Sequence, residues 1–198
     1  MHARTLRISL IALAALAAAS SAFAGWREEA SPQDASRLAR LDEARTKGLT
    51  EAQLGRDIGL IHAVMDPQSQ PVSAASLKGD WRCRTIKLGG MTPDLVYSWF
   101  RCRIGGEGHR LFFRKVSGSQ RVSGYLYPRE QGGFVFLGGF SVNGEPPHSY
   151  SGNGPSAGAS ATPDDAIGLL VATGPRSARV ELPYPGQEST FDVIEMKR

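Results

Sequence analysis

The chain has 198 residues with 23 Lys and Arg, 19 Asp and Glu and two cysteines. This length accommodates one domain with its own core, or one domain with a small appendage. The small formal net charge of +4 does not by itself indicate a partner, and no nucleic-acid-binding module is recognisable.

The first 24 residues have the pattern of a secretory signal peptide. Arg4 and Arg7 precede an apolar run over residues 8–19, and Ala22-Phe23-Ala24 offers small residues at the positions that a signal peptidase reads. The apolar run is shorter than the roughly 20 residues that span a bilayer, so cleavage is favoured over a membrane anchor. We therefore expect an exported protein, cleaved after Ala24, with no transmembrane segment after cleavage.

Residues 25–66 predict a helical hairpin, followed by a linker over 67–76. Ser31 can cap a first helix, and Lys47-Gly48 is a stop signal after it. Thr50-Glu51-Ala52-Gln53 matches a capping box for a second helix that ends at Asp66-Pro67. The apolar stripe of that second helix is predicted to consist of Leu54, Ile58, Ile61 and Met65.

Residues 77–198 predict an antiparallel β domain, because their apolar residues mostly alternate with a period of two. The predicted strands lie near residues 80–88, 95–104, 109–117, 121–127, 133–142, 166–172, 177–183 and 189–196. Short glycine-containing turns between them favour a meander, and about eight such strands suit a closed barrel. The predicted fold class is therefore α+β, mostly β, with a flexible loop rich in Gly, Ser and Ala at 149–163.

The first predicted strand opens with Gly79-Asp80-Trp81, which resembles the first-strand signature of lipocalin-like barrels. In that signature the indole closes one end of the barrel. Aromatic side chains would then line or fill the interior. The candidates are Phe112, Phe113, Tyr125, Tyr127, Phe134, Phe136 and Phe140.

The two cysteines share one setting, Arg82-Cys83-Arg84 and Arg101-Cys102-Arg103. In an exported protein two cysteines most simply form a disulfide, and this one would close a loop of about 20 residues. A zinc site would need about four ligands, and a redox dithiol would prefer Cys-x-x-Cys, so neither a metal nor a cofactor is predicted. Strand alternation places the arginines on the face opposite to the disulfide.

We interpret this arginine face as an anion-binding surface, because guanidinium groups bind phosphate and carboxylate through paired hydrogen bonds. Between residues 82 and 121 the sequence holds nine basic residues and two acids. An anionic envelope component or a small ligand would offset the repulsion between like charges. The alternative is that these arginines form ion pairs within the protein, with Glu181, Glu188, Asp192 or Glu195, if the last strand lies beside the first. The predicted anion-binding residues are Arg82, Arg84, Lys87, Arg101, Arg103, Arg114 and Arg121.

No catalytic residue is predicted. Residues 154–158 have the Gly-x-Ser-x-Gly spacing of serine hydrolases, but no histidine follows them and the required strand and helix are missing. A hydrolytic carboxylate pair among Glu145, Asp164, Asp165, Glu188 and Glu195 is one alternative. A second is inhibition of an exported protease by a flexible segment at residues 25–29.

The Arg-Cys-Arg segments belong to a larger set of motifs. The set comprises Arg82-Cys83-Arg84-x-Ile86-Lys87-Leu88-Gly89, Phe100-x-Cys102-x-Ile104, Gly118-Ser119-Gln120-Arg121, Phe136-Leu137-Gly138, Leu182-Pro183-Tyr184-Pro185, Glu188-Ser189 and Asp192-Val193-Ile194-Glu195. Together it resembles a bacterial family catalogued as domain of unknown function 4893, from about Trp26 to the C-terminus. The resemblance implies a periplasmic protein and transfers no catalytic or binding residue. We therefore expect a non-enzymatic binding or envelope-associated protein, whose ligand and oligomeric state the sequence does not define.

Overall fold

The computed structural model describes residues 25–106, 110–152 and 162–198. The predicted signal peptide and the Gly-x-Ser-x-Gly segment lie outside these residues, as does most of the loop predicted at 149–163. Among the helices described, none is long and apolar enough to span a bilayer.

The described residues form nine antiparallel strands. Their bounds are β1 (Gly79–Leu88), β2 (Asp94–Val96), β3 (Phe100–Gly105), β4 (Leu111–Lys115), β5 (Gln120–Pro128), β6 (Phe134–Val142), β7 (Asp165–Gly174), β8 (Ser177–Pro183) and β9 (Phe191–Lys197). They run in the order β2-β1-β3-β4-β5-β6-β7-β8-β9, and β9 also pairs with β1. Eight strands therefore close a barrel, and β2 is an extra strand beside β1. The predicted antiparallel, barrel-like meander is confirmed.

One predicted strand was wrong in extent. The run at 95–104 divides into β2 and β3, because these two strands pair with different halves of β1. β2 pairs with Ile86–Leu88, whereas β3 pairs with Gly79–Cys83. The other predicted strands each correspond to one strand of the barrel, with ends that agree to within two residues.

Helical segments precede the barrel and pack on its outer face. Their bounds are α1 (Trp26–Glu29), α2 (Pro32–Ala39), α3 (Leu41–Glu51), a 3-10 turn (Ala52–Leu54), α4 (Ile58–Met65) and α5 (Ala74–Leu77). As predicted, the Ser31 hydroxyl caps α2 by accepting a hydrogen bond from the Asp34 amide at 3.2 Å. α2 lies on β7 and β8, and α3 lies across β8, β9 and β1. The helices therefore cover one side of the barrel.

The predicted helix boundaries were wrong between residues 47 and 57. α3 continues through Gly48, which is buried because the helix approaches the barrel closely there. A Cβ atom at this position would lie 2.7 Å from the Cβ of Phe191. Thr50 bonds back to the Thr46 carbonyl at 2.9 Å instead of capping a new helix. Leu54 lies in the 3-10 turn and is 90% exposed, so it does not join the apolar stripe of α4.

The predicted linker was also wrong in part, because it is not wholly irregular. Gln70 forms an isolated bridge to Ala172 of β7, and α5 begins at Ala74. Ser73 caps α5 by accepting a hydrogen bond from the Ser76 amide at 3.2 Å. The segment therefore packs against one end of the barrel, and Leu77 of α5 joins the interior apolar cluster there.

Strand β1 shows how alternation divides the chain between inside and outside. Trp81 and Cys83 face the barrel interior, whereas Arg82 and Arg84 face outward. Past Arg84 the outward positions become apolar, and Ile86 and Leu88 are buried in the cluster beneath the helices. The helices therefore cover a large apolar part of the outer face of the barrel.

The barrel interior is an apolar cluster that contains the disulfide. Cys83 and Cys102 are bonded, with their Cα atoms 5.8 Å apart, and both are buried. The predicted disulfide, with the arginines on the opposite face, is confirmed. The aromatic candidates lie on both faces of the barrel wall, because successive residues of a strand point to opposite faces. Phe113, Phe134 and Phe136 fill the interior, and Phe140 packs against it. Phe112, Tyr125 and Tyr127 lie outside the interior cluster.

Candidate functional site at the barrel mouth

One end of the barrel is closed by Trp81. Its indole Nε1 donates a hydrogen bond to the Leu77 carbonyl at 2.9 Å. The guanidinium carbon of Arg198 lies 4.0 Å from the indole centroid, and the same guanidinium donates to the Leu77 carbonyl. The contacts of Trp81 agree with the expected role of the Gly-x-Trp segment, in which the indole closes one end of the barrel.

The opposite end holds a cavity of about 200 Å³, which we call the mouth pocket. Toward this end the inward-facing positions of several strands are polar. Its wall includes Thr85 and Lys87 of β1, Lys115 of β4, Val122 of β5, Phe140 of β6 and Asp192 of β9. Its rim includes Arg121, Glu145, His148, Asp164 and Glu188. The pocket therefore combines an apolar floor with several titratable side chains.

Lys115 is the most unusual group in the mouth pocket, because its ammonium is buried without a carboxylate. The residue is 4% exposed, and its Nζ donates to the Gln120 carbonyl. Nζ also lies 4.4 Å from the centroid of the Phe100 ring. Within the described part of the chain, no carboxylate lies within 4.0 Å of this nitrogen. Burial, together with the positive charges of Arg121 and Lys87, lowers the pKa of Lys115 to about 8.

Asp192 is the buried carboxylate of the same pocket. It is 2% exposed, and the Ser189 hydroxyl donates to it at 2.6 Å. Burial raises the pKa of Asp192 to about 6, although the Ser189 hydrogen bond and the charge of Lys87 oppose that shift. Lys87 also forms an ion pair with Glu188. Burial disfavours the charge on Lys87, but Glu188 and Asp192 outweigh it and raise the pKa of the lysine.

The rim of the mouth pocket carries a histidine between two acids. His148 Nε2 lies 3.7 Å from a carboxylate oxygen of Glu145, and its Nδ1 lies 3.7 Å from one of Asp164. Arg121, also on the rim, is held by the Gly118 carbonyl at 3.2 Å and by the Asn143 side chain at 3.1 Å. The described residues form no group of three or more His, Cys, Asp and Glu side chains placed to hold a metal ion.

The predicted anion-binding residues divide between two places. Lys87 and Arg121 lie at the mouth pocket. The others face outward on β1, β3 and β4, and these are Arg82, Arg84, Arg101, Arg103 and Arg114. The predicted anion-binding group is therefore divided by the barrel wall. Alternate residues of β1 face opposite sides of the wall, so Arg84 faces outward and Lys87 faces inward.

The outer arginines have nearer acids than the sequence indicated. Arg84 Nε lies 2.5 Å from a carboxylate oxygen of Glu195, because β9 pairs with β1 in the closed barrel. Arg103 lies 2.9 Å from Asp80 across the β1–β3 pair. Ion pairs within the protein, the alternative to anion binding, therefore account for two of the outer arginines.

Lys115 is not among the residues predicted from the sequence, and Asp192 is predicted there only as a partner for outer arginines. The inward position of Lys115 was predictable from the alternation of β4. Lys115 lies two residues after Phe113 and four after Leu111, both of which face the interior. Asp192 lies between Phe191 and Val193, which pack outward beneath the helices. Its inward position depends on how β9 closes the barrel, which has no local signature.

The residues of the two alternative functions are also placed. Of the candidate carboxylates, Glu145, Asp164 and Glu188 reach the rim of the mouth pocket. Asp165 is instead buried and bonded to Ser151, and Glu195 pairs on the outer wall. The segment predicted to be flexible at residues 25–29 forms α1, where Trp26 packs against an apolar cluster of β6 and β7.

Comparison with known protein families finds a match over most of the chain. The family described as Domain of unknown function (DUF4893) matches residues 26–196. The match includes every helix and, apart from the last residue of β9, every strand. No curated protein and no solved structure matches the chain. The resemblance seen in the motifs is confirmed, and the chain belongs to the DUF4893 family.

Proposed function

We propose that this protein is an exported, non-enzymatic binding protein whose mouth pocket takes a small ligand with a carboxylate or phosphate group. The observation that carries the proposal is the buried ammonium of Lys115, which has no carboxylate partner among the described residues. Removing a charge from water is costly unless an opposite charge or several hydrogen bonds replace the water. An oxyanion at the mouth would supply that charge.

The surroundings of Lys115 favour a ligand with a short apolar part next to its anionic group. Val122 and Phe140 provide an apolar floor in the same pocket. Lys87 is already paired with Glu188, so Lys115 and Arg121 are the cations that remain available. A volume of about 200 Å³ is below that of pockets for drug-sized ligands, so the ligand is a small molecule or one end of a longer one.

Two observations support export. The N-terminal sequence has the pattern of a signal peptide. The Cys83–Cys102 disulfide is of a kind that persists in oxidising compartments and is rare in the cytosol. The periplasm is the compartment that agrees with both, and mass analysis of mature protein beginning at Gly25 would test it. A mature protein that retains residues 1–24 would contradict it.

The binding proposal is tested with benzoate and phenyl phosphate, whose ring fits the floor and whose anionic group reaches Lys115. Binding is followed by amide chemical shifts at residues of the mouth pocket, with benzyl alcohol as the neutral control. The variant is Lys115→Met, and the matched control is Lys78→Met, which removes an exposed lysine away from the pocket. We expect affinity for at least one anion to fall roughly tenfold or more in K115M and to stay unchanged in K78M.

The relative affinities for benzoate and phenyl phosphate also distinguish a carboxylate ligand from a phosphate ligand.

The pH provides a second test. Binding of either anion should weaken above pH 8, because Lys115, whose pKa is about 8, loses its charge there. Equal affinity of K115M and the unchanged protein for both anions would overturn the proposal. So would tighter binding of benzyl alcohol than of either anion.

The second candidate function, hydrolysis by a carboxylate pair, is favoured by Asp192 and Glu188 in the same pocket. Burial raises the pKa of Asp192 to about 6, a shift that suits a general acid. Both carboxylates are already engaged, however, Asp192 by Ser189 and Glu188 by Lys87, which makes binding the better supported function. Turnover of a nitrophenyl glycoside that is lost in Asp192→Asn would favour hydrolysis, and absence of turnover across a panel of glycosides would count against it.

A further inference from the structure

A row of cationic side chains crosses four strands on the outer face of the barrel, away from the mouth pocket. Lys197 of β9 lies opposite Arg82 of β1, and Arg82 lies opposite Arg101 of β3. Two residues further along β3, Arg103 lies opposite Arg114 of β4. Neighbouring strands are about 4.8 Å apart, so three steps carry the row over roughly 14 Å. We call these five residues the cationic row.

The described acids neutralise only part of the cationic row. All five of its side chains belong to exposed residues. Arg103 pairs with Asp80, and Lys197 pairs with Glu195. Among the described residues, no carboxylate lies within 4.0 Å of Arg82, Arg101 or Arg114. Like charges directly opposite each other weaken a sheet, so the register of this row is unfavourable without an anion.

Aromatic side chains alternate with the cations on the same surface. The guanidinium carbons of Arg82 and Arg84 lie 5.0 and 4.6 Å from the ring centroid of Trp99. Arg114 lies 5.6 Å from the centroid of Phe112. These aromatic rings are half-buried rather than part of the interior. The Arg84 guanidinium is already ion-paired. Stacking leaves guanidinium N–H groups of Arg82 and Arg114 at the ring edge, where they can bond an oxyanion.

A second arginine and aromatic contact extends this surface along β4 and β5. Phe112 packs edge to face on Tyr125, with centroids 5.0 Å apart. Arg110 lies 4.6 Å from the centroid of Tyr125, which is 41% exposed. Cationic and aromatic groups therefore continue past the end of the row. The groups thus follow one another across five neighbouring strands, from β9 to β5, which suits an extended partner better than a compact one.

We propose that the cationic row and its aromatic neighbours bind a linear anionic polysaccharide. Arginines bind carboxylate, sulfate or phosphate groups that recur along such a chain, and partly exposed aromatic faces offer platforms for sugar rings. A lipid surface fits less well, because most of the large exposed apolar side chains lie elsewhere. Those side chains are Leu54, Met91, Leu95 and Val142. This inference uses residues that the mouth pocket does not, so it stands independently of the ligand proposed there.

The experiment measures binding of the full mature protein to immobilised polygalacturonate at low salt. The test variant combines Arg82→Gln, Arg101→Gln and Arg114→Gln. The matched control combines Arg27→Gln, Arg56→Gln and Arg176→Gln, which removes the same charge from exposed arginines outside the row. Each exposed charge contributes modestly to binding, and the test variant lacks three of them. We therefore expect about a tenfold loss of affinity in the test variant and a much smaller loss in the control.

A second variant separates stacking from charge. Trp99→Ala should weaken binding to polygalacturonate while it leaves binding to polyphosphate, which has charge but no sugar ring, unchanged. Dextran, which is neutral, should not bind. Equal losses in the two arginine variants would overturn the proposal, as would no binding of polygalacturonate at low salt. Tighter binding to phosphatidylglycerol vesicles or to single-stranded DNA than to the polysaccharide would overturn it as well. Thermal melts of every variant verify that the fold is retained.

Discussion

Arg45 of α3 and Glu181 of β8 form an ion pair that joins the helices to the outer wall of the barrel. The Arg45 Nε donates to Glu181 Oε2 at 3.0 Å. Arg179 donates to the other carboxylate oxygen at 2.7 Å, and also to the carbonyls of Val64 and Pro67. Glu181 is 1% exposed, so one buried carboxylate connects α3, β8 and the end of α4.

Removing this carboxylate should destabilise the protein strongly. Glu181→Ala leaves the buried guanidinium of Arg179 without its charged partner, and breaking a buried pair in this way costs about 3–5 kcal/mol. The matched control is Asp42→Ala, which removes the exposed partner of the same Arg45 and should cost at most about 1 kcal/mol. Urea denaturation measures both. Similar losses in the two variants would show that the buried pair does not hold the helices on the barrel.

The fold was predictable where the signal is local. Apolar alternation with a period of two marks most of the strands, and short turns between them favour the meander. The helix boundaries were not predictable in this way. Gly48 reads as a helix stop when only its neighbours in sequence are known. Its actual role depends on Leu88 and Phe191, which are distant in sequence and meet it only in the folded barrel.

Two glycines of the helical region should respond oppositely to alanine. Gly48→Ala would place a methyl group 2.7 Å from Phe191 Cβ, so α3 would have to move away from the barrel. Overpacking of this kind costs about 1–3 kcal/mol. Gly59→Ala in α4 meets nothing within 4 Å, and alanine should stabilise the helix by up to about 1 kcal/mol. Melting temperatures of the two variants test this, and a stabilised G48A would contradict the close approach.

The candidate site was predictable in part. The Arg-Cys-Arg repeats identified the outer arginines, because strand alternation around a buried cysteine is a local property. Lys87 and Arg121 were identified as anion-binding candidates, but alternation along β1 turns Lys87 inward, away from the arginine face. Lys87 meets Arg121 at the mouth pocket only because the closed barrel brings β1 and β5 together there. Asp192 acquires its burial only when β9 pairs with β1, a contact between the two ends of the β domain.

The disulfide should stabilise the barrel by restricting the unfolded chain. Cys83 and Cys102 are separated by 19 positions, and a loop of this length corresponds to about 3 kcal/mol in the chain-entropy model. The double variant Cys83→Ala and Cys102→Ala should lose that amount in urea denaturation. Reduced unchanged protein should show a similar loss, whereas reductant should leave the double variant unaffected. Mature, unreduced protein with two free thiols would refute the bond.

Asp192 should make stability fall as the pH rises from about 4 to about 6. Its pKa is raised by burial from 3.8 to about 6, so in this range the folded state holds a proton that the unfolded state has lost. A folded state that binds more protons loses stability with rising pH, by about 1.4 kcal/mol per pH unit at most.

The variant Asp192→Asn cannot ionise and should escape this loss. Its stability relative to the unchanged protein should rise between pH 4 and pH 6 by about 3 kcal/mol and then stay level. Taking the difference between the two proteins at each pH cancels the titration of groups that they share, apart from those that contact Asp192. Two such groups, Lys87 and Glu188, act on the pKa of Asp192 through their charges. The charge of Glu188 helps to raise that pKa, so Glu188→Gln should make the pKa shift of Asp192 smaller. A difference that stays flat, or that falls with rising pH, would mean that Asp192 is ionised in the folded barrel throughout this range.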